Sequence, residues 1–256
     1  MKTKFLSMVL LVCFGLSYAQ DKVKYTDEEL KMLKTYYFNE GFNKPATQKV
    51  STVIMKDGTK HRGYCKTIIT KKGQIAQMVF KDSITDKKET YDADQIKEAF
   101  LYASGFEKYN KVTEKFSNYG MGKRNSLKKI TSNDQIYFVN QTVSLKNKKD
   151  DKEFLMQLIN PDFSDYIDVY HDPFAKETQG VKFGAAPRIG GGIIKSYYVK
   201  KGDKVLWLHK ADFEENYDFL FGDSPEFMAK YPYKSVDWDW FSGLVVAYTK
   251  MRIDAM

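Results

Sequence analysis

The sequence predicts an α+β protein: antiparallel β-sheet, curled into a small open sheet or a barrel at 50–92, then a C-terminal hairpin followed by two or three helices. Three observations carry this expectation. From Val50 the residues alternate at period two, and Asp57-Gly58 then supplies a strong hairpin turn. Further short strand-like runs follow between tight turns, the pattern of a small antiparallel sheet that curls. Finally, from Ser196 to Met251, strand, turn, strand and helix signals succeed one another without ambiguity.

Taken in order, residues 26–40 read as a helix. Thr26 is a good N-cap, Glu29 three residues on completes a capping box, Leu30, Leu33 and Tyr37 line one face, and Gly41 ends it. Strands are expected at 50–55, 59–70 and 75–80, with Lys71-Lys72-Gly73 turning between the last two. Thr90-Tyr91 begins a fourth, before a helical turn at Asp94 to Phe100. Residues 102–149 carry apolar anchors at Tyr102, Phe106, Tyr109 and Phe116 but no long period, until Ile136 to Val143 reads as a strand. Phe154, Leu155, Leu158 and Ile159 suggest a short helix stopped by Asn160-Pro161, and Tyr166 to Tyr170 a further strand. Pro173, Pro187 and Gly190-Gly191-Gly192 punctuate 172–195, which reads as a mobile loop. The hairpin around Lys200-Lys201-Gly202-Asp203 leads to helices at 213–221, from Ser224-Pro225-Glu226, and from Asp237. In the last helix Trp238, Phe241, Val245 and Tyr248 form one stripe beside Trp240, Leu244, Ala247 and Met251, so it should be largely buried.

The chain opens with Lys2 and Lys4, an apolar run from Phe5 to Leu16, and Ser17-Tyr18-Ala19. Those are the n-region, h-region and cleavage site of a signal peptide, 1–19, with the exported chain beginning at Gln20. A lipoprotein reading with Cys13 as the modified residue is disfavoured by Val12 and by the apolar run continuing past it. Later runs are too short for a transmembrane helix, so the expected compartment is the periplasm or the cell exterior. The division that follows is 1–19 export signal, 20–45 helix and linker, 46–100 small antiparallel β domain, and 101–256 an α+β region holding the mobile loop 172–195. The formal charge of +8 falls to +6 when Lys2 and Lys4 leave with the signal. That balance favours anionic neighbours met outside the cell, polyanionic glycans, lipid headgroups or nucleic acid, and the partners expected are an anionic glycan or an envelope protein, with no intracellular nucleic acid. With Cys13 removed, Cys65 is alone, so stability must come from a packed core, for which a full chain with 18 Tyr and 18 Phe has ample material.

No complete catalytic constellation emerges. Gly222-Asp223-Ser224 has the look of an esterase nucleophile block, but no histidine follows Ser224, and an N-cap role explains the serine. Gly120-Met121-Gly122-Lys123 lacks the first glycine and the magnesium-binding hydroxyl of a phosphate loop. His61, His171 and His209 show no metal-ligand spacing, and Asp162, Asp165, Asp168 and Asp172 lack the calcium-loop order, so neither metal nor cofactor is expected. The candidate binding residues are Trp207, His209, Trp238, Trp240, Asp212 and Glu215: indole faces that stack on sugar rings, with carboxylates and an imidazole beside them. Asp212 and Glu215 also admit carboxylate-dependent glycan hydrolysis, although acids at helix starts are what the helix dipole favours.

Several stretches together resemble a group of uncharacterised exported proteins common in Bacteroidetes. They are the Asp57-Gly58 hairpin, TYDADQIKEAFLY from Thr90, KEFLMQLI from Lys152, the tyrosine-rich hairpin, SPEFMAKY from Ser224 and GLVVAYTKM from Gly243. The resemblance implies an α+β envelope protein and assigns no catalytic residue. The functional expectation is therefore a non-enzymatic exported binding module. The alternatives are a glycan hydrolase and a structural subunit of an envelope assembly.

Overall fold

The computed structural model describes residues 23–39, 41–42, 44–102, 135–148, 150–178 and 192–256. The expected export signal with Cys13, the phosphate-loop-like Gly120–Lys123, the anchors Phe106, Tyr109 and Phe116, and most of the loop at 172–195, including Gly190 and Gly191, lie outside them.

Period-two alternation builds the first layer. Strands β1 (Val50–Met55), β2 (Lys60–Lys71), β3 (Gln74–Asp82), β4 (Lys88–Asp92), β5 (Ile96–Tyr102), β6 (Gln135–Ser144) and β7 (Asp151–Gln157) form one antiparallel sheet ordered β2-β1-β5-β6-β7-β3-β4. Because β2 also pairs with β3, six strands close into a barrel and β4 is left outside on β3. The twelve-residue β2 makes closure possible: its first half pairs with β1, and bulges after Cys65 and Ile69 bend the rest onto β3. At Gly63 the strands come so close that a Cβ would overlap the Lys81 carbonyl oxygen. Val53, Cys65, Met78, Ile96, Ala99 and Leu101 fill the interior. Burial pushes the Cys65 thiol up to about 12.

Two expected helical segments are strands. Ala93–Gln95 is a single 3-10 turn, after which Ile96, Ala99 and Leu101 point into the barrel from β5. The run Phe154-Leu155-Met156 lies in β7, where Leu155 faces the barrel interior and Phe154 and Met156 face the next layer. A strand covered on both faces reads as a continuous apolar run, which periodicity alone does not separate from a helix.

The second layer is a three-stranded antiparallel sheet of β8 (Asp168–Tyr170), β9 (Ser196–Lys201) and β10 (Lys204–His209), ordered β10-β9-β8. Its alternation serves two cores: Tyr170, Tyr198, Val205 and Trp207 pack towards the barrel, whereas Val169, Tyr197, Val199 and Leu208 pack towards the helices. Buried Asn160 shapes the turn before β8 by donating to the Ile167 carbonyl (2.7 Å) and accepting from the Val169 N–H (2.7 Å). Around the absent-period stretch, the described flanks of 172–195 are ordered: Thr178 N–H donates to Ile193 O (2.8 Å) and Lys195 N–H to Lys176 O (2.8 Å).

The third layer is helical. α1 (Asp27–Lys34) has the expected capping box at Thr26 and Glu29 but ends at Lys34, because Tyr37 and Phe38 leave the helical path to enter the core. α2 (Tyr217–Phe221), α3 (Pro225–Lys230) and α4 (Phe241–Asp254) complete the chain, α4 buried over most of its surface. α1 docks on α4 at Gly243, and Glu29 pairs with Lys230 (2.7 Å). No helix of the described residues is long and apolar enough to cross a membrane.

Candidate functional site

The six residues singled out by sequence do not form one site. Trp238 is buried on the helical side of the second sheet, its ring stacked on Phe241 (5.2 Å) and its indole N–H donated to Ile194 O (2.7 Å). Trp240 packs edge-on to Tyr25 with Lys34 over its face. Asp212 ends a 3-10 turn and its carbonyl accepts from Asn216 Nδ2 (2.8 Å), while Glu215 is exposed. Ser224 caps α3 as expected, accepting from Phe227 N–H. Asp223 beside it anchors helices: it accepts from Lys201 Nζ, Tyr248 OH and Arg252. Burial alone would raise its carboxyl, but the Lys201 and Tyr248 hydrogen bonds outweigh that and hold it low.

Only Trp207 and His209 stay together, stacked at 5.4 Å on the barrel side of β10. Around them the tertiary fold assembles a corner that the sequence did not disclose. Its anchor is Asp172, 2% exposed. One carboxylate oxygen accepts from Ser196 Oγ (2.7 Å) and Trp207 Nε1 (2.8 Å), and the other from Phe174 N–H (3.0 Å). The carboxylate thus ties β9, β10 and the following turn together through neutral donors. That turn displays Phe174, 52% exposed, with Lys146 Nζ 5.7 Å from its ring centre.

Two strained turns border Phe174. Lys146 and Asn147 both have left-handed backbones (φ 55° and 54°), and the Asn147 side chain pairs with both backbone groups of Trp207 at 3.0 Å, standing in for a neighbouring strand. The Lys71-Lys72-Gly73 turn, with φ 50° at Lys72, backs onto Pro173 and Phe174, where a Cβ on Gly73 would press into the proline. Non-glycine residues in this region cost of order 1–3 kcal/mol each and tend to gather at functional sites. Three of the four such residues in the described chain lie in the two turns beside Phe174.

His171 precedes Asp172 in the chain. Its imidazole lies against Gly41, where any side chain would collide, and burial depresses its pKa against the opposing pull of Asp172. Tyr198 OH accepts from Lys146 N–H (3.2 Å), and its own pKa is raised by burial and then by Asp172. Sequence reasoning missed Asp172, Phe174 and Lys146 because nothing local marks them. The nearest signal was Asp172-Pro173, an aspartate before a proline, which initiates turns.

Chemically the corner offers aromatic faces, an imidazole and lysine cations, with its carboxylate turned inward. Among the described residues no three His, Cys, Asp or Glu side chains gather as metal ligands. Comparison with protein-family models, with curated proteins and with solved structures finds no match to this chain.

Proposed function

We propose that this protein is an exported, non-enzymatic binding module whose Phe174–Trp207–His209 corner takes an anionic glycan. The observation that carries the reading is Phe174, held half-exposed by a turn pinned through Asp172, with a lysine over its ring. A fixed aromatic face stacks on the apolar face of a sugar ring without an ordering cost, and Lys146 with the Lys71-Lys72 turn supplies charge for carboxylate or sulfate groups. The basic overall balance and the signal-like first nineteen residues support the same reading.

Titration calorimetry with alginate, polygalacturonate and heparin tests it. Salt-sensitive binding is expected, weakened roughly tenfold by Phe174→Ala, an aromatic contact of order 1–2 kcal/mol, and unchanged by Trp240→Phe. Binding that ignores Phe174→Ala, or no binding to any of the three, refutes the assignment. Glycoside hydrolysis abolished by Asp212→Ala or Glu215→Ala would make the protein an enzyme instead.

A further inference from the structure

A different surface, on the outside of the barrel, is both strongly cationic and tipped by an apolar residue. Cross-strand pairing aligns Val50, Tyr64, Lys81 and Lys88 in one row over β1, β2, β3 and β4. Arg62 and Lys60 continue outward along β2, opposite Thr52 and Ile54. Lys66 Nζ lies 4.9 Å from the Tyr64 ring centre and Lys49 Nζ 5.0 Å from that of Tyr102. Of these cations only Lys81 has a carboxylate partner among the described residues, Asp86 at 2.8 Å. Unpaired like charges gathered on a rigid sheet repel one another, a cost that an anionic partner removes.

Next to Arg62 stands the β3–β4 turn, with Ile84 at its tip, 91% exposed. The turn is not loose. Asp82 Oδ1 accepts from Ile84 N–H (2.9 Å), Thr85 N–H (2.7 Å) and Thr85 Oγ1 (3.0 Å), and Ser83 donates to Arg62 O through both N–H (3.0 Å) and Oγ (2.9 Å). A branched apolar side chain is therefore held out in water by a turn built of polar residues, beside a field of positive charge. A soluble polyanion would meet the cations and leave Ile84 in water. A bilayer surface satisfies both, with headgroup phosphates against the lysines and the acyl boundary around the isoleucine.

We infer that this face of the barrel docks on an anionic phospholipid surface, with Ile84 inserted at the headgroup–acyl boundary and Lys60, Arg62 and Lys88 against the phosphates. The inference is independent of the glycan reading of the Phe174 corner.

Co-sedimentation of the purified protein with phosphatidylglycerol-containing vesicles, and with phosphatidylcholine vesicles, tests it. Binding to the first, little to the second, and release by salt are expected. Ile84→Ser, a change at a fully solvated tip that leaves the fold untouched, should lower partitioning roughly tenfold, the effect of withdrawing one aliphatic side chain from an apolar phase. Arg62→Glu should lower it further, and Phe174→Ala should leave it unchanged. Vesicle binding that survives Ile84→Ser while Arg62→Glu abolishes it would reduce the face to a generic polyanion site and overturn the insertion. Loss with Phe174→Ala would move the contact to the other corner and overturn it equally, as would failure to bind anionic vesicles at all.

Discussion

At the scale of single residues, Asp172 shows how one side chain sets a surface. Its carboxylate is the shared acceptor of Ser196, Trp207 and the Phe174 backbone, so Phe174 and Trp207 inherit their positions from a group that is itself hidden. Removing it strands three donors, one buried and two partly buried, and a buried donor left unpaired costs about 1–3 kcal/mol. Asp172→Ala should therefore destabilise the protein by about 2–5 kcal/mol in urea unfolding and shift tryptophan emission to the red as Trp207 loosens. Asp172→Asn keeps an acceptor oxygen and should cost less. Cys65 gives the complementary case of a group silenced by its surroundings. With its thiol pushed up to about 12 by burial in the barrel, it should resist a thiol reagent at neutral pH in the native state and react at once in denaturant. Rapid labelling of the native protein would place it outside the barrel core.

At the scale of elements, the N-terminal helix is tied to the C-terminal one. α1 meets α4 where Gly243 lets the backbone approach Leu33, Ser242 accepts from Tyr37 N–H (3.2 Å), and Tyr25 bonds Ser235. A Cβ at position 243 would overlap the Leu33 carbonyl oxygen, and a clash with backbone is not relieved by a rotamer change. Gly243→Ala should thus lower stability by about 1–3 kcal/mol despite its better helix propensity. Thermal melting that rises on this substitution would show that α1 does not seat against α4. The capping box at Thr26 and the Ser224 cap were legible from local spacing, because a cap is a contact within four residues. The strand identity of Phe154-Leu155-Met156 was not, because it depends on two different layers covering its two faces.

At the scale of the whole molecule, three layers are stacked with the small sheet of β8, β9 and β10 between barrel and helices, and the titrating groups at these seams give stability a pH dependence. His171 has a folded pKa below its ordinary value near 6.5, so between the two the unfolded chain binds more protons. Its contribution is complete above about pH 6.5 and is lost as pH falls through that window. Asp168 acts in the opposite sense: burial raises its pKa despite the Tyr170 hydrogen bond, so its contribution is present in acid and lost as pH rises through the raised value. Comparing melting temperatures of the native protein and His171→Gln across mildly acid pH isolates the first group. The native protein should lose more stability on acidification than the variant, and parallel curves would exclude His171 as the cause.

What the sequence determined by itself was local. Alternation and the Asp57-Gly58 turn specified antiparallel strands, Thr26 and Ser224 specified the starts of α1 and α3, and the apolar stripes of the last helix specified its burial, although that helix starts at Phe241, after a 3-10 turn at Trp238–Trp240, and not at Asp237. These follow from contacts a few residues apart, where spacing is geometry. The tertiary structure alone decided that β2 bends at its bulges to close six strands into a barrel, which of the three tryptophans reaches the surface corner, and that Asp172, Phe174 and Lys146 meet there. Trp207 and Trp238 are both large aromatic residues that the sequence marks as candidate binding residues. They end on opposite faces of one thin sheet: Trp207 points from β10 to the barrel side, whereas Trp238, in the 3-10 turn before α4, packs on the helical side, and only the packing of the layers determines what each face meets.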